Sequence, residues 1–259
     1  VLALVFALAV ALPVALGLLA ATATPAGARP EARRGATALT VSAAASLTEA
    51  FTHIGTRFER RHRGTTVTFN FASSTALVTQ ISSGAPADVV ATADLTPMDR
   101  LVADGRVTAT PVPFARNRMV IAVKPGNPER VRSVTDLADV GVVALCGASA
   151  PCGTYAASVL RKAGVTVPES RVTRGTDART TLGAVARGDA TAALVYVSDV
   201  VAAGRTVTAV AIPDADNVVA VYPIAPVAGG AGRTARAFVD FVTGPQGQRI
   251  LAASGFLPA

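Results

Sequence analysis

The spacing of apolar positions changes period repeatedly along this chain, and each change marks an element. Residues 38–42 form a short apolar run, after which Leu47, Ala50, Phe51, Ile54 and Phe58 recur at helical spacing until Gly64. Val67, Phe69 and Phe71 then alternate with polar residues. Strand, helix and strand in this order predict a βαβ unit with parallel pairing. Leu77, Val78 and Ile81 mark a second helix, and Gly84-Ala85-Pro86-Ala87 turns the chain into a third strand over 88–91. Thr96-Pro97 predicts a third helix with Pro at its first position, and Met98, Leu101 and Val102 as core. An apolar strand over 119–123 is stopped by Lys124-Pro125-Gly126. The pattern then starts afresh with a short helix over 135–138, a strand over 142–145, a loop over 146–153 and a helix over 154–163. Gly175-Thr176-Asp177-Ala178 opens another helix, capped by Thr176 or Asp177, with Leu182, Val185 and Ala186 inward. Strands over 192–197, 207–212 and 218–221 and helices over 234–242 and 246–253 complete an α/β reading.

Candidate chemistry gathers where strands hand over to helices. Ser46 followed by Glu49 reads as a capping box, so the first helix starts at a serine with three alanines, Ala43, Ala44 and Ala45, before it. Unpaired N–H groups and the helix dipole make such a start an anion site in outline, although most Ser-x-x-Glu sequences only cap helices. The second strand delivers Ser73 and Ser74 to a helix in the same way. In a parallel sheet both turns lie at the carboxyl ends of the strands, where open α/β folds bind ligands. The loop Cys146-Gly147-Ala148-Ser149-Ala150-Pro151-Cys152-Gly153 has glycines but not the Gly-x-x-x-x-Gly-Lys-Ser/Thr pattern of a nucleotide-binding loop. Its N–H groups face an anion or it is simply a braced turn; both readings stand. Tyr196, at a strand end before Ser198-Asp199, reads by itself as amphipathic core.

Composition changes the picture in three places. Residues 1–21 carry no charge and lead into Ala26-Gly27-Ala28, so an export signal is expected over 1–28, with an uncleaved membrane anchor as the alternative and a linker over 29–37. The chain's two cysteines, Cys146 and Cys152, share one loop, and in an oxidising compartment a disulfide is the first reading. Zinc would need two further ligands, and His53 and His62 lie far off on the first helix. The formal net charge of +7 comes mostly from scattered Arg, apart from Arg57, Arg60, Arg61 and Arg63, which read as a solvated helix end. With aromatic residues at 5% and no basic-aromatic motif, nucleic acid is not indicated as a partner.

The segments ALTVSAAASLTEAF, FNFASSTALVTQISSGAPADVVATAD, CGTYA, LVYVSD and GPQGQRILAASGF resemble the periplasmic molybdate-binding proteins of ABC importers, over residues 38–256. The resemblance implies a two-lobed periplasmic-binding-protein fold (type II). Its ligand would lie in the inter-lobe cleft, with two hinge crossovers near 117–119 and 221–223. Lobe 1 is then 38–117 plus 223–259, and lobe 2 is 118–222. It implies an oxyanion held by the hydroxyls of Ser46 and Ser74, the backbone at Cys152 and Ala178, and the hydroxyl of Tyr196. Cys152 departs from the family's usual Ala, which a backbone contact tolerates. The implied protein is an exported, monomeric receptor. It delivers molybdate, and tungstate, to a membrane permease and needs no cofactor and no catalytic residue.

Donors alone suit a molybdate dianion, whereas phosphate at neutral pH carries a proton and wants an acceptor in the pocket, and none of these five positions supplies a carboxylate. Sulfate, also proton-free, is separated only by size. A receptor for sulfate or another oxyanion is therefore the nearest alternative, and a secreted enzyme with Cys152 as nucleophile is the alternative from another class.

Overall fold

The computed structural model describes residues 37–259; the expected signal or anchor over 1–28 and nearly all of the linker lie outside them. Strand β1 (Thr37–Ala44) already includes Thr37, assigned above to the linker. It lies between β2 (Thr65–Ala72) and β3 (Val89–Ala91), parallel to both, from Thr37 opposite Thr65 to Ala44 opposite Ala72. The crossovers are helices α1 (Thr48–Arg61) and α2 (Ser74–Ser82). Ala50, Phe51, Ile54 and Phe58 of α1 are buried, as their spacing predicts. Phe58 meets Phe238 edge to face at 5.2 Å, and Phe51 meets Phe114 at 5.8 Å, so one aromatic cluster fixes the helix on the sheet.

After α3 (Leu95–Ala103), the longest strand, β4 (Val112–Val123), runs through the middle of the molecule. Its Val112–Arg118 portion pairs antiparallel with β9 (Val219–Pro226), which in turn pairs with β3. From Met119 onward its antiparallel partners are β7 (Ala192–Tyr196) and β8 (Thr208–Ala211). Beyond β7 lie β5 (Val143–Cys146) and β6 (Val172–Gly175), all three mutually parallel through β5. The strand order is β2-β1-β3-β9-β4-β7-β5-β6, with β8 beside β4. Helices α4 (Pro151–Lys162) and α5 (Ala178–Arg187) follow β5 and β6, α6 (Val197–Ala203) follows β7, and α7 (Gly232–Thr243) and α8 (Pro245–Ala253) close the chain against α1.

Several boundaries differ from the sequence reading. Ser46 does not cap α1: it sits in a 3-10 turn, Ala45–Leu47, and its hydroxyl bonds to Tyr222, while Glu49 pairs with Arg179. α3 begins before Pro97, because the Asp94 carboxylate accepts the N–H of Thr96 at 2.7 Å and caps the helix there. Val102 and Ala186 face solvent; Ala184 takes the inward position expected of Ala186. α4 starts at Pro151 rather than 154, since Pro is favoured in a first turn, and this moves Cys152 from the loop into the helix. α6 was not anticipated: Val197 continues the apolar run of β7, and the Asp199 carboxylate turns the chain by accepting the Tyr196 N–H at 3.0 Å.

Among the described residues no helix is long and apolar enough to cross a membrane, and no cluster of three metal-ligating side chains occurs.

Candidate oxyanion site

Six strand ends converge on one small cavity. β1 brings Ala45 and Ser46, β2 brings Ser73 and Ser74, and β3 brings Ala93; β5 leads to Pro151 and Cys152, β6 to Asp177 and Ala178, and β7 to Tyr196. All five residues singled out in the sequence, Ser46, Ser74, Cys152, Ala178 and Tyr196, line it. Its volume is ≈ 220 Å³. The space therefore suits one compact guest. A larger hollow of ≈ 830 Å³ beside His53, Arg57 and Arg249 is lined by α1 and α8 and gathers no strand ends.

The small residues of the lining let three helix starts approach each other. α2, α4 and α5 begin at Ser74, Pro151 and Ala178, so the N–H groups of Cys152 and Ala178 lie in first turns, where no intrahelical carbonyl is available. α4 is held close to β5: a Cβ on Gly153 would fall 2.1 Å from the carbonyl oxygen of Gly147. The Cys146–Cys152 disulfide, with Cα atoms 5.7 Å apart, ties the same helix start to the same strand end. This meets the first reading of the two cysteines, and it leaves Cys152 no thiol with which to act as a nucleophile.

The polar side chains are buried and arranged as donors. Ser74 Oγ accepts the N–H of Ala93 at 2.9 Å, which leaves its own hydrogen to point elsewhere. Ser46 Oγ lies 2.9 Å from the hydroxyl of Tyr222. Tyr196 is 1% exposed, and its hydroxyl is buried without a hydrogen-bond partner. Burial pushes its pKa well above the usual phenol value, so it stays protonated at neutral pH. An unpaired hydroxyl inside a protein is costly, and at a cavity wall it marks a place for an acceptor. None of the lining residues is Lys or Arg. The one carboxylate, Asp177, is occupied as the cap of α5, accepting the Thr180 N–H at 2.9 Å.

Three contacts join elements next to the cavity lining. Thr75 Oγ1 donates to the carbonyl of Ser149 at 2.7 Å, the Tyr155 hydroxyl donates to the Asp94 carboxylate, and Arg179 pairs with Glu49. Burial and the Asp94 charge both raise the pKa of Tyr155. Beneath Tyr196, burial pushes the carboxyl of Asp199 up to about 7, against the Tyr196 N–H, which holds it down.

Sequence reasoning did not single out Tyr222, Asn117 or Ser198, which back the site. Their contacts span 81 to 176 residues of chain, and no local pattern announces them.

Comparison with known proteins agrees with this architecture. A molybdate-binding protein of Mycobacterium tuberculosis is 41% identical over 256 residues, spanning 98% of this chain and 95% of the relative. The solved periplasmic molybdate-binding protein of Azotobacter vinelandii superposes with a TM-score of 0.76 at 21% identity, over 85% of this chain and 99% of its own. The sulfate-binding protein of Mycobacterium tuberculosis superposes with a TM-score of 0.77 at 22% identity, over 86% and 87%. Parallel strands ending on one shared crevice between two α/β halves define a two-lobed solute-binding fold of the periplasmic type. Residues 39–257 match the bacterial extracellular solute-binding proteins, and the chain belongs to that family.

Proposed function

We propose that the protein captures molybdate, and tungstate, outside the cytoplasm and hands it to the permease of an ABC importer. The observation that carries this reading is the unpaired Tyr196 hydroxyl in a cavity whose other polar groups are serine hydroxyls and helix N-termini. A dianion without protons needs donors only, and burial of the site strengthens each of them. Ser46, Ser74 and Tyr196 donate through hydroxyls, and Cys152 and Ala178 through backbone N–H groups. Naming molybdate rather than another oxyanion is supported by the relative that is 41% identical. The family's members are solute-binding transport proteins, and the role assigned here is likewise capture without catalysis.

The lobes follow from the same reading: 38–117 with 223–259, and 118–222. The exchange of β4's partner from β9 at Arg118 to β7 at Met119 supports a hinge there, and β9's gain of β3 as a further partner from Ile224 onward supports the second. Ligand touching both lobes favours the closed form, which a permease then recognises. Residues 1–28 serve as the export signal, and the receptor acts as a monomer.

Thermal unfolding with molybdate, tungstate, sulfate and phosphate, each tested separately, checks the reading. At about 100 times its dissociation constant a ligand stabilises the native state by roughly 2.7 kcal/mol. A raised midpoint with molybdate and tungstate alone supports it, a shift with sulfate alone changes the substrate, and no shift with any of the four overturns it.

A further inference from the structure

Behind Ser46 lies a buried polar chain whose hydrogen bonds reach the ligand positions only at Ser46, although the Tyr222 ring also packs on that of Tyr196 at 6.0 Å. Asn117, fully buried on β4, accepts the Arg118 N–H through Oδ1 at 3.0 Å, which fixes the orientation of its amide. Its Nδ2 therefore points inward as a donor. It gives one hydrogen to Ser198 Oγ at 2.8 Å and reaches the Tyr222 hydroxyl at 3.5 Å. An amide nitrogen cannot accept, so the hydrogen of Tyr222 has Ser46 Oγ, 2.9 Å away, as its acceptor. Tyr222 is fully buried, and leaving that hydrogen unpaired would carry the full cost of desolvation. The direction of the chain is thus set from Asn117 to Tyr222 to Ser46. Tyr222 fills one of the two acceptor lone pairs of Ser46 Oγ from behind, and the Ser46 hydrogen is left for the cavity.

We propose that Tyr222 is a positioning residue that locks the Ser46 hydroxyl as a donor and thereby sets the preference for proton-free oxyanions over protonated ones. The proposal rests on the oxyanion reading above. A hydrogen phosphate or hydrogen arsenate must place its own hydrogen somewhere. With one lone pair of Ser46 taken by Tyr222 and one of Ser74 by the Ala93 N–H, each serine turns its own hydrogen toward the cavity, where it faces the hydrogen of a protonated anion. Repulsion of this kind gives discrimination without a size test.

Tyr222→Phe keeps the ring packed edge-on against Phe114 and Phe256 and removes only the hydroxyl. Titration calorimetry of the whole chain with molybdate and with inorganic phosphate is the test. For Tyr222→Phe the account expects molybdate affinity to fall about tenfold, as for one lost hydrogen bond, and the molybdate-to-phosphate ratio to fall with it. Ser46→Ala combined with Tyr222→Phe should bind molybdate no worse than Ser46→Ala alone, because Tyr222 acts through Ser46. Should Tyr222→Phe not fold, Asn117→Ala enters the same cycle in its place. An unchanged selectivity ratio, or losses that add in the double variant, overturns the inference and leaves the oxyanion reading standing. A wild-type chain that binds no oxyanion overturns both.

Discussion

Thr75 on α2 donates its hydroxyl to the carbonyl of Ser149, the residue before α4's cap, at 2.7 Å. The Tyr155 hydroxyl makes a second such bond, to the Asp94 carboxylate. On the proposed lobe division both contacts bridge the lobes, so they add to the stability of the closed form and not to that of an open one.

Thr75→Val or Tyr155→Phe should therefore weaken molybdate binding by about 1 kcal/mol each, close to fivefold, with the loss in the dissociation rate. Stopped-flow release measurements check this. An unchanged release rate would mean that the contacts form without regard to ligand.

Tyr196→Phe should act with opposite signs in the two states. Without ligand, removing a buried hydroxyl that has no partner leaves the unfolding midpoint unchanged or raises it. With saturating molybdate, the variant should lose roughly 1.5–3 kcal/mol of ligand stabilisation, as for a hydrogen bond to a charged group. Paired thermal scans with and without ligand report both.

Asp199 is 4% exposed, and burial raises its pKa from the carboxylate range to about 7. Between about pH 4 and about pH 7 the folded chain holds a proton there that the unfolded chain has released, so stability falls as pH rises through this window. The stability is fully present below about pH 4, and its loss levels off above about pH 7. The slope approaches, at most, roughly 1.4 kcal/mol per pH unit from this group. Subtracting the urea-unfolding profile of Asp199→Asn from that of the wild type should isolate this decline; a flat difference would contradict it.

The Cys146–Cys152 bond closes a short loop at the start of α4. Replacing both cysteines by Ser should lower stability by about 2 kcal/mol, the loop-closure value for so short a ring. Molybdate should still bind, since Cys152 contributes its backbone. Urea denaturation with and without molybdate tests both parts.

The periodicities of Phe51, Ile54 and Phe58, or of Val67, Phe69 and Phe71, are local properties, and they located the βαβ unit. The helix starts at Ser74 and Ala178 were legible because strand ends followed by capping residues mark them, whereas a ligand role for Ala178 came only with the family resemblance. Ser46 was found for a reason that fails in the structure: its hydroxyl turns to Tyr222 on β9, not to the helix. α6 was hidden because Val197 prolongs the apolar run of β7, and only the bond from the Tyr196 N–H to Asp199 ends the strand. Tyr222 and Asn117 carried no signal at all. Their role depends on pairings between strands far apart in sequence, which no window of neighbouring residues contains.

The most direct measurement is anomalous diffraction from crystals of the protein grown with tungstate. The account predicts one strong peak in the cavity, within hydrogen-bonding reach of Ser46, Ser74, Tyr196 and the N–H groups of Cys152 and Ala178. A peak in the hollow by Arg57 and Arg249 with the cavity empty, or no peak at all, would contradict it.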